Sequence, residues 1–250
     1  MKRLFLLASF AALTACQFQN LVSNVVGNGV PVETVIETDE FVSISSLCSL
    51  DIVYAQADGE QSVTLTCDEN LVGYYQIKVE EGTLEVTTKP GTSISPKVTS
   101  FLTVTSPKFS GISVSGSGNC RITSPLSSRS DVSLLVSGSG SIRAEGQVEC
   151  RNFTSTVTGS GDVVVSGVWS DIARLKLNGS GSLTVNELTA AVVTARVSGS
   201  GVANFACKDA GDIDLDMSGS GSVTLTGNAY SLSSRTSGSG QVYTKDLSLR

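Results

Sequence analysis

The tripeptide Gly-Ser-Gly occurs seven times, beginning at Gly116, Gly138, Gly159, Gly179, Gly199, Gly219 and Gly238, at intervals of 22, 21, 20, 20, 20 and 19 residues. Such spacing marks a solenoid in which each repeat is one coil stacked on the last. Aligned on the tripeptide, apolar residues recur at every second position, the period of a half-buried strand. Two positions before the first glycine stand Val114, Val136, Val157, Leu177, Val197, Met217 and Thr236. Four positions beyond it stand Cys120, Ile142, Val163, Leu183, Ala203, Val223 and Val242.

Columns of like side chains are what parallel, in-register strands about 4.8 Å apart bury. The expected fold is therefore all-β, a parallel β-helix with coils of about 20 residues, each holding two or three short strands. The winding should be right-handed, as crossovers between parallel strands nearly always are. The glycines read as corners where coils crowd together or φ turns positive. Beside them, Ser115, Ser137, Thr158, Asn178, Ser198, Ser218 and Ser237 should form an external polar ladder.

Over residues 31–110 the tripeptide is missing, but strand-like runs punctuated by Asp58-Gly59, Glu81-Gly82 and Pro90-Gly91 continue. This half is expected to form irregular first coils that cover one end, with 111–250 as the regular coils, because a bare coil end exposes unpaired backbone. At the other end Lys245, Asp246 and Arg250 either blunt the edge or leave it to a second protomer in a weak homo-oligomer.

Residues 1–15 place Lys2 and Arg3 before a short apolar run, the pattern of an export signal too short to span a bilayer. The following Leu13-Thr14-Ala15-Cys16 matches a bacterial lipobox, making Cys16 the expected lipid attachment site and membrane anchor. Gln17 then points to outer-membrane delivery, and 16–30 reads as anchor and tether. In an exported chain disulfides are permitted, and Cys48 with Cys67, on neighbouring strand-like segments, is the favoured pair.

Histidine is absent from the 250 residues, which excludes His-based triads and His metal sites. No GxSxG, GxGxxG, P-loop, SxxK or CxxC pattern occurs, so no cofactor is expected. Nucleic acid is a poor partner for a chain of net charge −6 without a basic stripe. One constellation remains: Asp212, Asp214 and Asp216 alternate along a strand and should project from one outer face. Three readings compete there: a ladder in which Arg196 and Arg235 flank Asp216 from adjacent coils, a cation site, and the carboxylates of a polysaccharide lyase or hydrolase. The ladder is the simplest. Trp169, the single tryptophan, reads as a partly exposed corner residue.

The segment DIVYAQADGEQSVTLTCDENLVGYYQIKVEEGTLEVTTK (51–89), followed by repeated VSGSG units, resembles the auto-transporter adhesin head GIN domain family. The likeness runs over 32–250 and includes Asp-Glu-Asn-Leu at 68–71; the Asp that follows the family's glycine-rich unit is present here only at Asp162. The resemblance implies a right-handed parallel β-helix on an exported or lipid-anchored protein and supplies no catalytic residues. Function is thus expected to be noncatalytic: an envelope lipoprotein that offers a rigid face to a glycan or protein ligand, or else a purely structural envelope component.

Overall fold

The computed structural model describes residues 23–250, so the expected export signal and the expected lipid site Cys16 lie outside the described residues. It is a parallel β-solenoid whose interior is filled by the columns read from the sequence. Val136 pairs with Val157, Val157 with Leu177, Leu177 with Val197 and Val197 with Met217, each pair in parallel register. All of these side chains are buried.

Each regular coil has three faces. The first ends at the Gly-Ser-Gly corner. The second follows it, with Cys120, Ile142, Val163, Leu183 and Ala203 inward, and the third turns Leu126, Val148, Val168 and Leu188 inward. The chain stays in extended pairing around these bends, so single strands run for a whole coil, as in Asp162–Gly179 and Ser182–Gly199.

Differences in coil length are absorbed at the bends around the third face. The partner offset falls from Ala144↔Val165 to Gln147↔Gly167, and again from Cys207↔Gly227 to Ala210↔Ala229. Asp209, within that second shift, takes a left-handed φ of 53°. Insertions confined to a corner leave the buried columns in step, which is why an uneven spacing still packs one continuous core.

The N-terminal end is assembled out of chain order. Ser43–Ser46 and Asp51–Gln56 stack directly under the first regular coil, pairing in parallel with Gly111–Val114 and Asn119–Ile122. Beneath them lie Thr83–Thr88 and Phe101–Ser106, also parallel. The intervening strands then reverse: Tyr75–Glu80 pairs antiparallel with Thr83–Thr88, Ser62–Asp68 with Phe101–Ser106, and Pro31–Val35 with Ser62–Asp68. The inward columns pass unbroken through this region, as in Leu84, Ile44, Ile112 and Leu134. Antiparallel reversal was not legible in the sequence; it removes the parallel edge that would otherwise sit bare at this end. Here too the bulky Tyr54 is fully buried, its hydroxyl 2.9 Å from that of Ser106 and its ring 4.7 Å from that of Phe109.

At the opposite end, Gln241–Tyr243 and Leu247–Leu249 cover Ser222–Thr224 and Gly227–Ala229. Among the described residues, 230–238 pair only with the preceding coil. Of their inward positions Leu232 still packs against the core, but Ser234 and Thr236 are small, polar and exposed, where the preceding coil carries Leu215 and Met217. The Arg250 guanidinium engages Asp209 and fastens the chain end to the last full coil.

Candidate functional site

Three features carry polar chemistry. The first is the glycine ridge. Gly159, Gly179, Gly199, Gly219 and Gly238 have φ between 100° and 133°. At each step from Gly116 to Gly199 one carbonyl receives two backbone N–H groups from the next coil, as when Ser180 N and Gly181 N donate to Gly159 O at 2.9 and 3.2 Å. A Cβ on Gly181 would collide with the carbonyl oxygen of Gly161. The ridge therefore requires glycine for close stacking and left-handed φ. Its flanking ladder is partly hydrogen-bonded, Ser137 donating to Ser115 at 2.8 Å and Ser198 to Asn178 at 2.7 Å.

The second is the outer side of the first face. The alternation of the strand projects Asp214 and Asp216 outward beside Arg196 on one neighbouring coil and Arg235 on the other. Arg196 Nη2 donates to Asp214 Oδ2 at 2.8 Å, and its Nε lies 3.5 Å from Asp216 Oδ2. Arg235 reaches Asp214 Oδ1 at 3.4 Å and Asp216 Oδ1 at 3.5 Å. The sequence paired the arginines with Asp216 through register; the shorter contacts are diagonal, to Asp214. The hydrogen bond from Arg196, reinforced by both guanidinium charges against some loss of hydration, holds the Asp214 carboxyl below the usual range. Asp212 stands apart and accepts from the Ser231 hydroxyl at 2.6 Å.

The third is a clasp that the sequence reading did not assign. Asp68, the first residue of the Asp-Glu-Asn-Leu motif, is fully buried. Its carboxylate accepts the backbone N–H of Gly29 at 2.6 Å, of Lys97 at 2.9 Å and of Val98 at 3.1 Å. Burial alone would raise its pKa, but these amides together hold it below the normal carboxylate value. A Cβ on Gly27 would overlap this carboxylate. Asn70 extends the clasp, accepting Asn28 N at 2.8 Å and donating to Val26 O at 2.9 Å, and Leu71 is buried beneath. Strand Ser23–Val26 is thereby stapled to Thr92–Ser95 and to the head. The signal was present as an acid opening a short 3₁₀ turn, Glu69–Tyr74, but its partners lie about 30 to 40 residues away.

Cys48 and Cys67 are separate thiols in this structure. Cys67 is buried with Sγ 3.3 Å from the Asp68 carbonyl, and Cys48 is half-buried with Sγ 3.7 Å from that of Val86. Burial pushes the Tyr75 hydroxyl up to about 12, and the Cys67 and Cys48 thiols both lie close enough to add to that shift. Cys120, Cys150 and Cys207 point into the core, where burial raises the Cys150 and Cys207 thiols to about 11. Trp169 is 47% exposed on the third face, between Glu149 and Thr189. Among the described residues, no cluster of three or more Cys, Asp or Glu side chains has metal-binding geometry.

These features define a class: a parallel β-solenoid with flat, hydroxyl-bearing faces, closed at its N-terminal end by antiparallel strands. Within that class the chain belongs to the family described as "Putative auto-transporter adhesin, head GIN domain", whose profile matches residues 40–229. Its fold is shared by a putative adhesin from Bacteroides fragilis (24% identity, TM-score 0.77) and by a putative lipid binding protein from Parabacteroides distasonis (23%, 0.76). Each alignment covers 88% of this chain and 99% of the other. A putative adhesin from Parabacteroides merdae is similar at 21% identity and TM-score 0.73, over 88% and 98% of the two chains. No curated protein matches the chain. An adhesin family points to an exported or cell-surface protein, and no described helix is long and apolar enough to cross a membrane.

Proposed function

We propose that this protein is a noncatalytic envelope lipoprotein that presents a rigid β-solenoid face to a ligand outside the membrane. One observation carries the reading: the outward carboxylates of the first face, which an acid–base enzyme would need free, are held by arginines. Asp214 sits between Arg196 and Arg235, each side chain about 40% exposed or more on the arginine side. A general acid requires a carboxyl raised toward neutral pH, and Asp214 is shifted the other way. Binding is then distributed over many shallow contacts along a surface that does not deform.

Lipid on Cys16 would fix the molecule to the outer membrane, and the Asp68 clasp would transmit that attachment to the head. Export also takes the chain through an oxidising compartment, where Cys48 and Cys67 are the proposed disulfide pair. A non-reducing peptide map that links the two cysteine peptides, and loses the link in Cys67→Ser, is the expected result.

Two experiments test the whole. Glycan-array binding without product formation is expected; chain cleavage abolished by Asp214→Asn would replace the adhesin with a carbohydrate-active enzyme. Membrane association lost in Cys16→Ser tests the anchor.

A further inference from the structure

The outer side of the first face is not uniform along the solenoid axis. From Ser43 and Ser45 through Ser113, Ser133, Thr154 and Thr156 its outward positions are mostly hydroxyls. The next coil places Arg174 and Lys176 in register with Thr154 and Thr156. On their other side stand Thr194 and Arg196. Arg174 and Lys176 are exposed, and among the described residues neither forms an ion pair, whereas Arg196 leans away to Asp214 and Asp216. Two free cations thus sit at the boundary of a hydroxyl field, on a chain whose net charge is −6.

We infer that Arg174 and Lys176 form an anion-binding subsite for an acidic polysaccharide, whose carboxylates they take while its hydroxyls lie along the Ser and Thr columns. This rests on the adhesin reading and names the ligand class for it. Arg174 and Lys176 are two residues apart on one strand, about 6.5 Å, and their neighbours on adjacent coils are about 4.8 Å away. That grid is held rigidly by the sheet, so little side-chain order is lost on binding beyond the two heads themselves. Guanidinium and ammonium groups at such spacing suit successive carboxylates of a polymer, Arg in bidentate contact and Lys as a point charge. Hydroxyl columns offer both donors and acceptors, which sugar hydroxyls require.

A polyanionic chain is favoured over an anionic membrane surface by shape and charge. A narrow polymer can follow one face and meet the two cations while avoiding the acids elsewhere. A bilayer would also face the acidic body of the molecule, and Asp214 and Asp216 lie two coils further along the same face.

The test is binding of polygalacturonate to the immobilised intact protein, with dextran as neutral polymer and phosphatidylglycerol vesicles as an anionic surface. Polygalacturonate should bind, weaken as salt rises from about 0.05 to about 0.5 M, and lose about tenfold or more in affinity in the double variant Arg174→Ser, Lys176→Ser. The double variant Arg121→Ser, Arg143→Ser, on the second face, should bind as the parent does. Equal binding of dextran, unchanged binding in the Arg174/Lys176 variant, or binding of vesicles but not of polygalacturonate would each overturn the subsite. Any of these would leave the adhesin reading standing if another glycan on the array is bound without cleavage; product release from polygalacturonate would overturn both.

Discussion

Gly29 donates its backbone N–H to the buried carboxylate of Asp68 at 2.6 Å, across 39 residues of chain. With Lys97 and Val98 as further donors, one side chain ties three segments together at the N-terminal end of the head. The acid is held in its charged form by this ring of amides, so its folded-state pKa lies below the unfolded value of about 3.9.

The sign of the pH effect follows from that depression. Stability contributed by Asp68 is complete above the unfolded pKa and is lost as pH falls through the lower folded value. Thermal melts followed by circular dichroism should show the parent losing stability as pH drops below about 4. Asp68→Asn should melt several degrees lower at pH 7, with a flatter acid limb. An acid limb as steep as the parent's would remove Asp68 from this role.

The glycine ridge makes a sharper demand than solubility. Gly179 combines a φ of 133° with a carbonyl of the preceding coil lying where a Cβ would go. Gly179→Ala should cost about 1–3 kcal/mol in urea unfolding. Ser180→Ala, at the exposed centre of the same tripeptide, should fall within about 0.5 kcal/mol of the parent. Equal effects at the two positions would contradict the stacking account.

How much of this was legible depended on whether the information was local or repeated. The buried columns, the ridge and the outward direction of Asp214 and Asp216 each recur or alternate, and a period survives in one sequence. Asp68 occurs once and takes its meaning from Gly29, Lys97 and Val98, which nothing nearby specifies. The cap was opaque for the same reason: Tyr75–Glu80 alternates like any strand, and alternation does not distinguish parallel from antiparallel partners. The diagonal bond from Arg196 to Asp214 was hidden because register fixes Cα partners, not the reach of a long side chain.

Ser155 interrupts an aliphatic column, lying in register between Leu134 and Leu175 with no exposed surface and, among the described residues, no partner for its hydroxyl. An unsatisfied buried hydroxyl carries its full desolvation cost. Ser155→Ala removes that group without adding volume and should stabilise the protein by about 1 kcal/mol. A chemical-denaturation midpoint that falls would indicate that the hydroxyl has a partner after all.

The ladder around Asp214 makes the opposite case, in which visible contacts are worth little. Arg196, Asp214 and Asp216 are each about 40% exposed and Arg235 is more open still, so water and salt screen every pair. Asp214→Asn weakens the bonds to both arginines at once, yet only a small loss of stability is expected, and that at low salt. Raising ionic strength should erase most of the difference between parent and variant, because screening reduces what the parent gains. The direction with pH matches that of a carboxyl held low: the contribution is present above about 3.9 and fades below it. A loss of several kcal/mol that survives high salt would mean that Asp214 is desolvated in solution, and would reopen the question of what else this face is built to hold.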